Sequence, residues 1–125
     1  MKKLLLLFLV LFTVGCSSTG TNTYKTISAE EAKNMIDELE DEIVLDVRSQ
    51  EEFNEVHLEN AINMTNEVIK VRFETKITDK KDATIIVYCK SGVRAKTAAQ
   101  TLVDLGYTNV YTFGGIDSWK YEVIK

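Results

Sequence analysis

Proline is absent from this 125-residue chain, and cysteine, histidine and tryptophan are scarce, at two, one and one. Without proline there is no collagen-like or polyproline II segment. Two cysteines cannot staple a disulfide-dense scaffold or supply four thiolates to zinc, and a single histidine, His57, adds little. No metal and no cofactor is therefore expected. Positive charge is not in surplus: 15 lysines and arginines face 19 aspartates and glutamates, for a formal charge of −4. That balance argues against a nucleic-acid partner held by a basic surface. What remains is ordinary for one folded domain, 45% hydrophobic and 27% charged, too apolar for a disordered chain.

The one long apolar run lies near the start. Leu4 to Val14, with only Thr13 polar, would rise about 16 Å as a helix, about half a bilayer's hydrocarbon core and too short for a permanent span. Preceded by Lys2 and Lys3 and followed by small residues, it reads as an export signal. Its junction, Thr13-Val14-Gly15-Cys16-Ser17-Ser18, resembles the bacterial lipoprotein signal, whose cysteine is acylated and becomes the new N-terminus. Thr13 departs from the aliphatic residue usual there. The resemblance implies a signal peptide over residues 1–15, lipidation of Cys16, and an extracytoplasmic protein anchored to the bacterial cell membrane (periplasmic or outer-membrane in a Gram-negative envelope). The alternative is an ordinary cleaved signal with an incidental cysteine. Residues 16–23, small, polar and containing Gly20, form a flexible tether, and residues 24–125 form the domain.

Strand and helix signals alternate through that domain. Tyr24 to Ile27 is a short strand, and Ser28-Ala29-Glu30-Glu31 is a capping box opening a helix with Ala32, Met35, Ile36 and Leu39 on one face. Ile43-Val44-Leu45 ends at Asp46 as a buried strand. Ser49-Gln50-Glu51-Glu52 is a second capping box, starting a short helix through Glu55. Ala61 to Met64 gives a third strand and Glu67 to Lys76 a weakly amphipathic helix. Thr84 to Tyr88 is a nearly continuous β-branched run, the pattern of a strand covered on both faces. Ala95, Ala98, Ala99 and Leu102 mark a helix that Gly106 ends, Val110 to Phe113 a last strand, and Gly114-Gly115 a break before a short terminal helix. The alternation predicts a three-layer α/β domain, a central, mostly parallel five-stranded sheet with helices on both faces. Such sheets place their sites beyond the carboxyl ends of the strands.

One segment sits there above all: Cys89-Lys90-Ser91-Gly92-Val93-Arg94, between the buried strand and the next helix. A free thiol, with a pKa of about 8.5, is mostly protonated near neutrality, whereas cysteine chemistry needs the thiolate. Three features of this loop favour the charged sulfur. Main-chain N–H groups can curl around it, the helix start adds a positive dipole end, and Lys90 and Arg94 add formal charge. Gly92 permits the positive φ such a curl requires. A ring this small fits a sulfur donor better than a phosphate.

Four segments now carry a likeness. They are Asp46-Val47-Arg48 with Glu52-Phe53, His57-Leu58 with Ala61-Ile62-Asn63, the loop Cys89 to Arg94 with Ala95, and Gly114-Gly115-Ile116 with Trp119. In this order and spacing the domain resembles a single-domain rhodanese, a sulfurtransferase. Val56 and Asn60 stand where that family usually has glycine. The resemblance implies ping-pong transfer: Cys89 takes the outer sulfur of a small anionic donor such as thiosulfate, holds it as a persulfide, and yields it to a thiol or cyanide. It further implies that Arg94 orders the loop and offsets charge, and that Lys90 favours the anionic donor.

Each residue also has a plainer reading. Cys89 could be a buried structural cysteine, and Lys90 a solvated side chain. His57 reads as a hydrogen-bonded structural residue, Asp46 and Arg48 as a tie at the end of their strand, and Trp119 as packing for the terminal helix. Two other functions compete with sulfur transfer. One is a non-catalytic binding or redox-sensing module on the same fold. The other is a cysteine phosphatase or arsenate reductase, which resembles Cys-x₅-Arg, whereas only four residues separate Cys89 from Arg94. With Cys16 acylated, Cys89 would be the single thiol left, with no partner for an intramolecular disulfide.

Overall fold

The computed structural model describes residues 23–125, so the expected signal peptide, Cys16 and the tether up to residue 22 lie outside the described residues. Five strands, β1 (Lys25–Thr26), β2 (Ile43–Asp46), β3 (Ile62–Asn63), β4 (Ile85–Tyr88) and β5 (Val110–Thr112), form one sheet in the order β1-β5-β4-β2-β3. Every pairing is parallel. The helices are α1 (Ala29–Glu38), α2 (Gln50–Glu55), α3 (Asn66–Lys76) and α4 (Val93–Asp104). Both predicted capping boxes form: the Ser28 and Ser49 hydroxyls accept the amides of Glu31 and Glu52, whose carboxylates accept the serine amides in return. Among the described residues, no helix is long and apolar enough to cross a membrane.

The central strand explains the layering. All of β4 is buried, and its side chains alternate between two cores. Ile85 and Val87 join Leu45, Ile69, Phe73 and the alanine face of α4, while Ile86 and Tyr88 join Val44, Ala32 of α1, Leu58 and Phe113. Helices α3 and α4 therefore cover one sheet face and α1 the other. Residues 116–118 differ from expectation: a single 3₁₀ turn, Ile116–Ser118, replaces the predicted terminal helix. Its first two amides are capped by the carbonyls of Cys89 and Lys90, but at its end Trp119 turns extended and Ile124 pairs with His57, so the chain does not continue winding. Trp119 still packs as read, its ring 5.3 Å from that of Phe113.

Beyond β2 a buried polar network fixes the strand end. Asp46, fully buried, accepts Nε and Nη2 of Arg48 at 3.1 and 2.8 Å and the Arg48 amide at 2.9 Å. Arg48 also donates to the carbonyl of Val56 and lies over the Tyr88 ring. Burial, and then the Asp46 carboxylate, pushes the Tyr88 hydroxyl far above its ordinary pKa, and this hydroxyl accepts the amide of Leu58 at 3.0 Å. Asn63 donates to the carbonyls of Asp46 and Arg48 at 3.0 and 2.9 Å. His57 donates Nδ1–H to the carbonyl of Phe53 at 2.8 Å and stacks on that ring. Asn60, one of the two departures from glycine, adopts φ 66°, a left-handed value that asparagine tolerates better than most residues.

Removing one partner of the Asp46–Arg48 pair would strand a charge in the core. Arg48→Leu is expected to cost about 3–5 kcal/mol in urea unfolding. A loss below about 1 kcal/mol would show that the pair contributes no more than a surface bridge.

Candidate active site

The alternation of β4 continues into Cys89, which shares the α4 face with Ile85 and Val87 and is 1% exposed. Its sulfur therefore lies beneath the start of α4. Gly92 turns the chain with φ 111°, the left-handed curl anticipated from the sequence. The first amides of a helix have no acceptor within it. Here two of them find the sulfur: the N–H groups of Gly92 and Ala95 donate to Sγ at 3.0 and 3.3 Å. Those of Val93 and Arg94 have no acceptor among the described residues. Ser91 is exposed at the turn, and Val93 is 73% exposed despite its apolar side chain.

A second segment clamps the loop from outside. The carbonyls of Cys89 and Lys90 accept the amides of Ile116 and Asp117 at 2.8 and 3.0 Å. Gly115, with φ 96°, makes that approach possible: a Cβ there would stand 2.4 Å from the Lys90 carbonyl oxygen and 2.7 Å from that of Cys89. The pair Gly114-Gly115, noted in the sequence as a break, is thus part of the loop's mounting.

Neither cation of the loop is free. Arg94 grips Glu52 through two contacts of 2.7 and 3.1 Å, and Lys90 reaches Asp117 at 3.0 Å. The Arg94 guanidinium, opposed by partial burial and assisted by Ser49, holds the Glu52 carboxyl down at about 2. Glu52 in turn raises Arg94, with a smaller contribution from the Cys89 sulfur. Sequence reasoning gave Glu52 only its capping role and did not find Asp117. A carboxylate with one oxygen engaged in a capping box was the available signal for Glu52; Asp117 carried none. Asp46 and Arg48 make no hydrogen bond to the loop, although the Asp46 charge also helps hold Arg94 protonated. Among the described residues, no three histidine, cysteine, aspartate or glutamate side chains gather as a metal site. A separate cleft of about 270 Å³, bounded by Lys33, Ile36, Leu58 and Trp119, includes no residue of the loop.

Two measurements check this geometry. Gly115→Ala is expected to lose about 1–3 kcal/mol through strain and overpacking, and to speed alkylation of Cys89 by loosening the loop above it. An unchanged urea midpoint with unchanged alkylation would remove the clamp. For Glu52, whose carboxyl falls from 4.5 to about 2 on folding, the stabilisation is complete above pH 4.5 and fades as pH drops towards 2. The deficit of Glu52→Gln should therefore be present at neutral pH and shrink on acidification; a deficit constant across that range would contradict the assignment.

Comparison with known proteins agrees with the geometry. The family model for the rhodanese-like domain matches residues 28–122. A thiosulfate sulfurtransferase (GlpE) of Coxiella burnetii is 34% identical over 98 residues, covering 78% of this chain and 88% of the relative. Another (PspE), of Escherichia coli, is 38% identical over 81 residues, 65% of this chain and 77% of the relative. A solved rhodanese with anions from E. coli superposes with a TM-score of 0.62 at 32% identity, over 67% of this chain and 98% of that one. By family match, sequence and fold together, the chain belongs to the rhodanese-like domain family, as a thiosulfate sulfurtransferase-like transferase.

Proposed function

We propose that Cys89 ferries a sulfane sulfur, as a persulfide, from a small anionic donor such as thiosulfate to a thiophilic acceptor, a thiol or cyanide. The observation that carries this reading is the pair of main-chain N–H groups directed at Sγ. Donors of this kind stabilise a negative sulfur without a neighbouring base. In the first half-reaction the thiolate attacks the outer sulfur of thiosulfate. The Sγ–S bond forms, the S–S bond of the donor breaks, and sulfite leaves with the electron pair. The negative charge of the enzyme now sits on the outer sulfur, about 2 Å beyond Sγ. The unpaired amides of Val93 and Arg94 support it there, as oxyanion-hole donors support a developing charge.

The E. coli rhodanese solved with anions supports an anionic ligand for this fold. Lys90 serves the donor step: its pair with Asp117 is more than half exposed, a weak contact that an incoming dianion can displace. Arg94 acts differently, holding the loop to α2 through Glu52. Gly92 sets the curl, and Ser91 and Val93 form the rim. The export signal and Cys16 support an extracytoplasmic location, with lipid anchoring to the bacterial membrane and the domain carried on a short tether.

Thiosulfate:cyanide turnover of the parent beside Cys89→Ser provides the test. Complete loss is expected in the variant. Intact mass after thiosulfate alone should show the parent heavier by one sulfur atom and Cys89→Ser unchanged. Parental turnover in the serine variant would end the assignment.

A further inference from the structure

Between α3 and the start of α4, beside the loop, opens a cleft of about 340 Å³. Val47 and Val93 give it apolar walls, and Thr65 and Thr97 give it hydroxyls. Val47 extends β2 into the same core cluster as Cys89, and Val93 and Arg94 belong to the loop itself, so the cleft opens beside the loop that holds the sulfur. Two charged side chains line it, Arg94 and Glu67. Arg94 is already neutralised by the two-point contact with Glu52. Glu67, exposed in the first turn of α3, has no hydrogen-bond or ion-pair partner among the described residues. Glu52, Arg94 and Glu67 together leave one negative charge at the cleft.

That distribution suits no small dianion, and it is larger than cyanide needs. Resting on the sulfurtransferase reading, we propose that this cleft is the acceptor subsite and selects thiols by charge. It takes short aminothiols, whose ammonium meets Glu67 and whose methylenes lie against Val47 and Val93, in preference to thiols bearing a carboxylate. In the step itself the acceptor sulfur attacks the outer sulfur of the Cys89 persulfide. The new S–S bond forms as the Sγ–S bond breaks, Sγ keeps the electron pair as thiolate, and the product leaves as R–S–SH with the thiol proton. Nothing further is consumed. Glu67 is here a specificity-determining residue, acting on the far end of the acceptor rather than on the reacting sulfurs.

The experiment compares cysteamine, mercaptoethanol and mercaptopropionate as acceptors of thiosulfate sulfur, with cyanide alongside, in the parent, Glu67→Gln, Glu67→Lys and the control Glu38→Lys. Each acceptor is compared with itself across variants, so differences in thiol basicity cancel. Glu67→Lys is expected to lower the ratio of kcat/KM for cysteamine over mercaptopropionate by about tenfold, with Glu67→Gln between it and the parent. Mercaptoethanol and cyanide should change by less than about twofold, since neither places a charge against Glu67. Glu38, exposed on α1 across the sheet, should leave the ratio unaltered. An unmoved ratio in Glu67→Lys with cyanide turnover intact overturns the subsite, and an equal shift in Glu38→Lys assigns the effect to overall charge and does the same. Absence of cyanide turnover in the parent removes the sulfurtransferase reading, and this inference with it.

Discussion

Everything at the carboxyl edge of the sheet turns on the two N–H groups that Gly92 and Ala95 direct at Sγ. They reach it only because the alternation of β4 places Cys89 on the α4 face. A slip of one residue would send the sulfur to the α1 face and present Tyr88 to the helix start instead. They also depend on the positive φ of Gly92, which brings the first turn of α4 back over the strand. The clamp at Gly115 completes the arrangement by fixing the carbonyls of Cys89 and Lys90 on the other side of the loop. Strand register, one turn and one close approach therefore converge on a single atom.

Formal charge has a smaller part than the loop's composition suggests. Both cations are turned onto carboxylates from elsewhere in the chain, so the loop offers an anion mainly fixed main-chain dipoles. Such donors need no side chain to be ordered when the anion arrives, whereas recruiting a lysine costs rotamer entropy. The two pairs are also unequal. Lys90 and Asp117 meet in solvent and separate readily, while Glu52 is tied at once to Arg94, to the Ser49 amide and to the Ser49 hydroxyl. Glu52 thereby couples the start of α2 to the start of α4. A cation in the first turn of a helix normally opposes the dipole; here the bonded carboxylate removes that conflict.

What could be seen in the sequence was what lies close together in it. Ser28 with Glu31 and Ser49 with Glu52 contain both partners of a capping box, and the run from Cys89 to Arg94 contains its nucleophile, curl and cations. The five strands and four helices emerged for the same reason, since periodicity is local. The partners of Lys90 and Arg94 lie 27 and 42 residues away, and no local pattern selects one carboxylate among 19. The terminal helix failed on a tertiary effect, because the chain beyond the 3₁₀ turn is drawn out to pair Ile124 with His57. Asn60 shows the converse: a residue that departs from the family pattern keeps the backbone geometry, its φ of 66° being one that asparagine can hold.

The buried ion pair beyond β2 gains its meaning from the same two-face logic. An ion pair in a core is weak evidence of net stability, because desolvation offsets attraction. Here, however, β2, β3 and β4 end level, with Asp46 opposite Asn63 and Tyr88, and the main chain that continues past Asp46 must find partners without a strand beside it. Asp46 accepts the Arg48 amide, Asn63 takes the carbonyls of Asp46 and Arg48, and the Val47 amide reaches the Tyr88 carbonyl at 3.0 Å. The segment is held extended, with Asp46 and Arg48 facing Tyr88 on one side of the sheet. Val47, between them, is therefore obliged to face the other side, where it lies in the core with Cys89 and forms a wall of the cleft. The polar network on the α1 face thus sets the position of an apolar wall on the α4 face, without either acidic or basic group hydrogen-bonding to the loop.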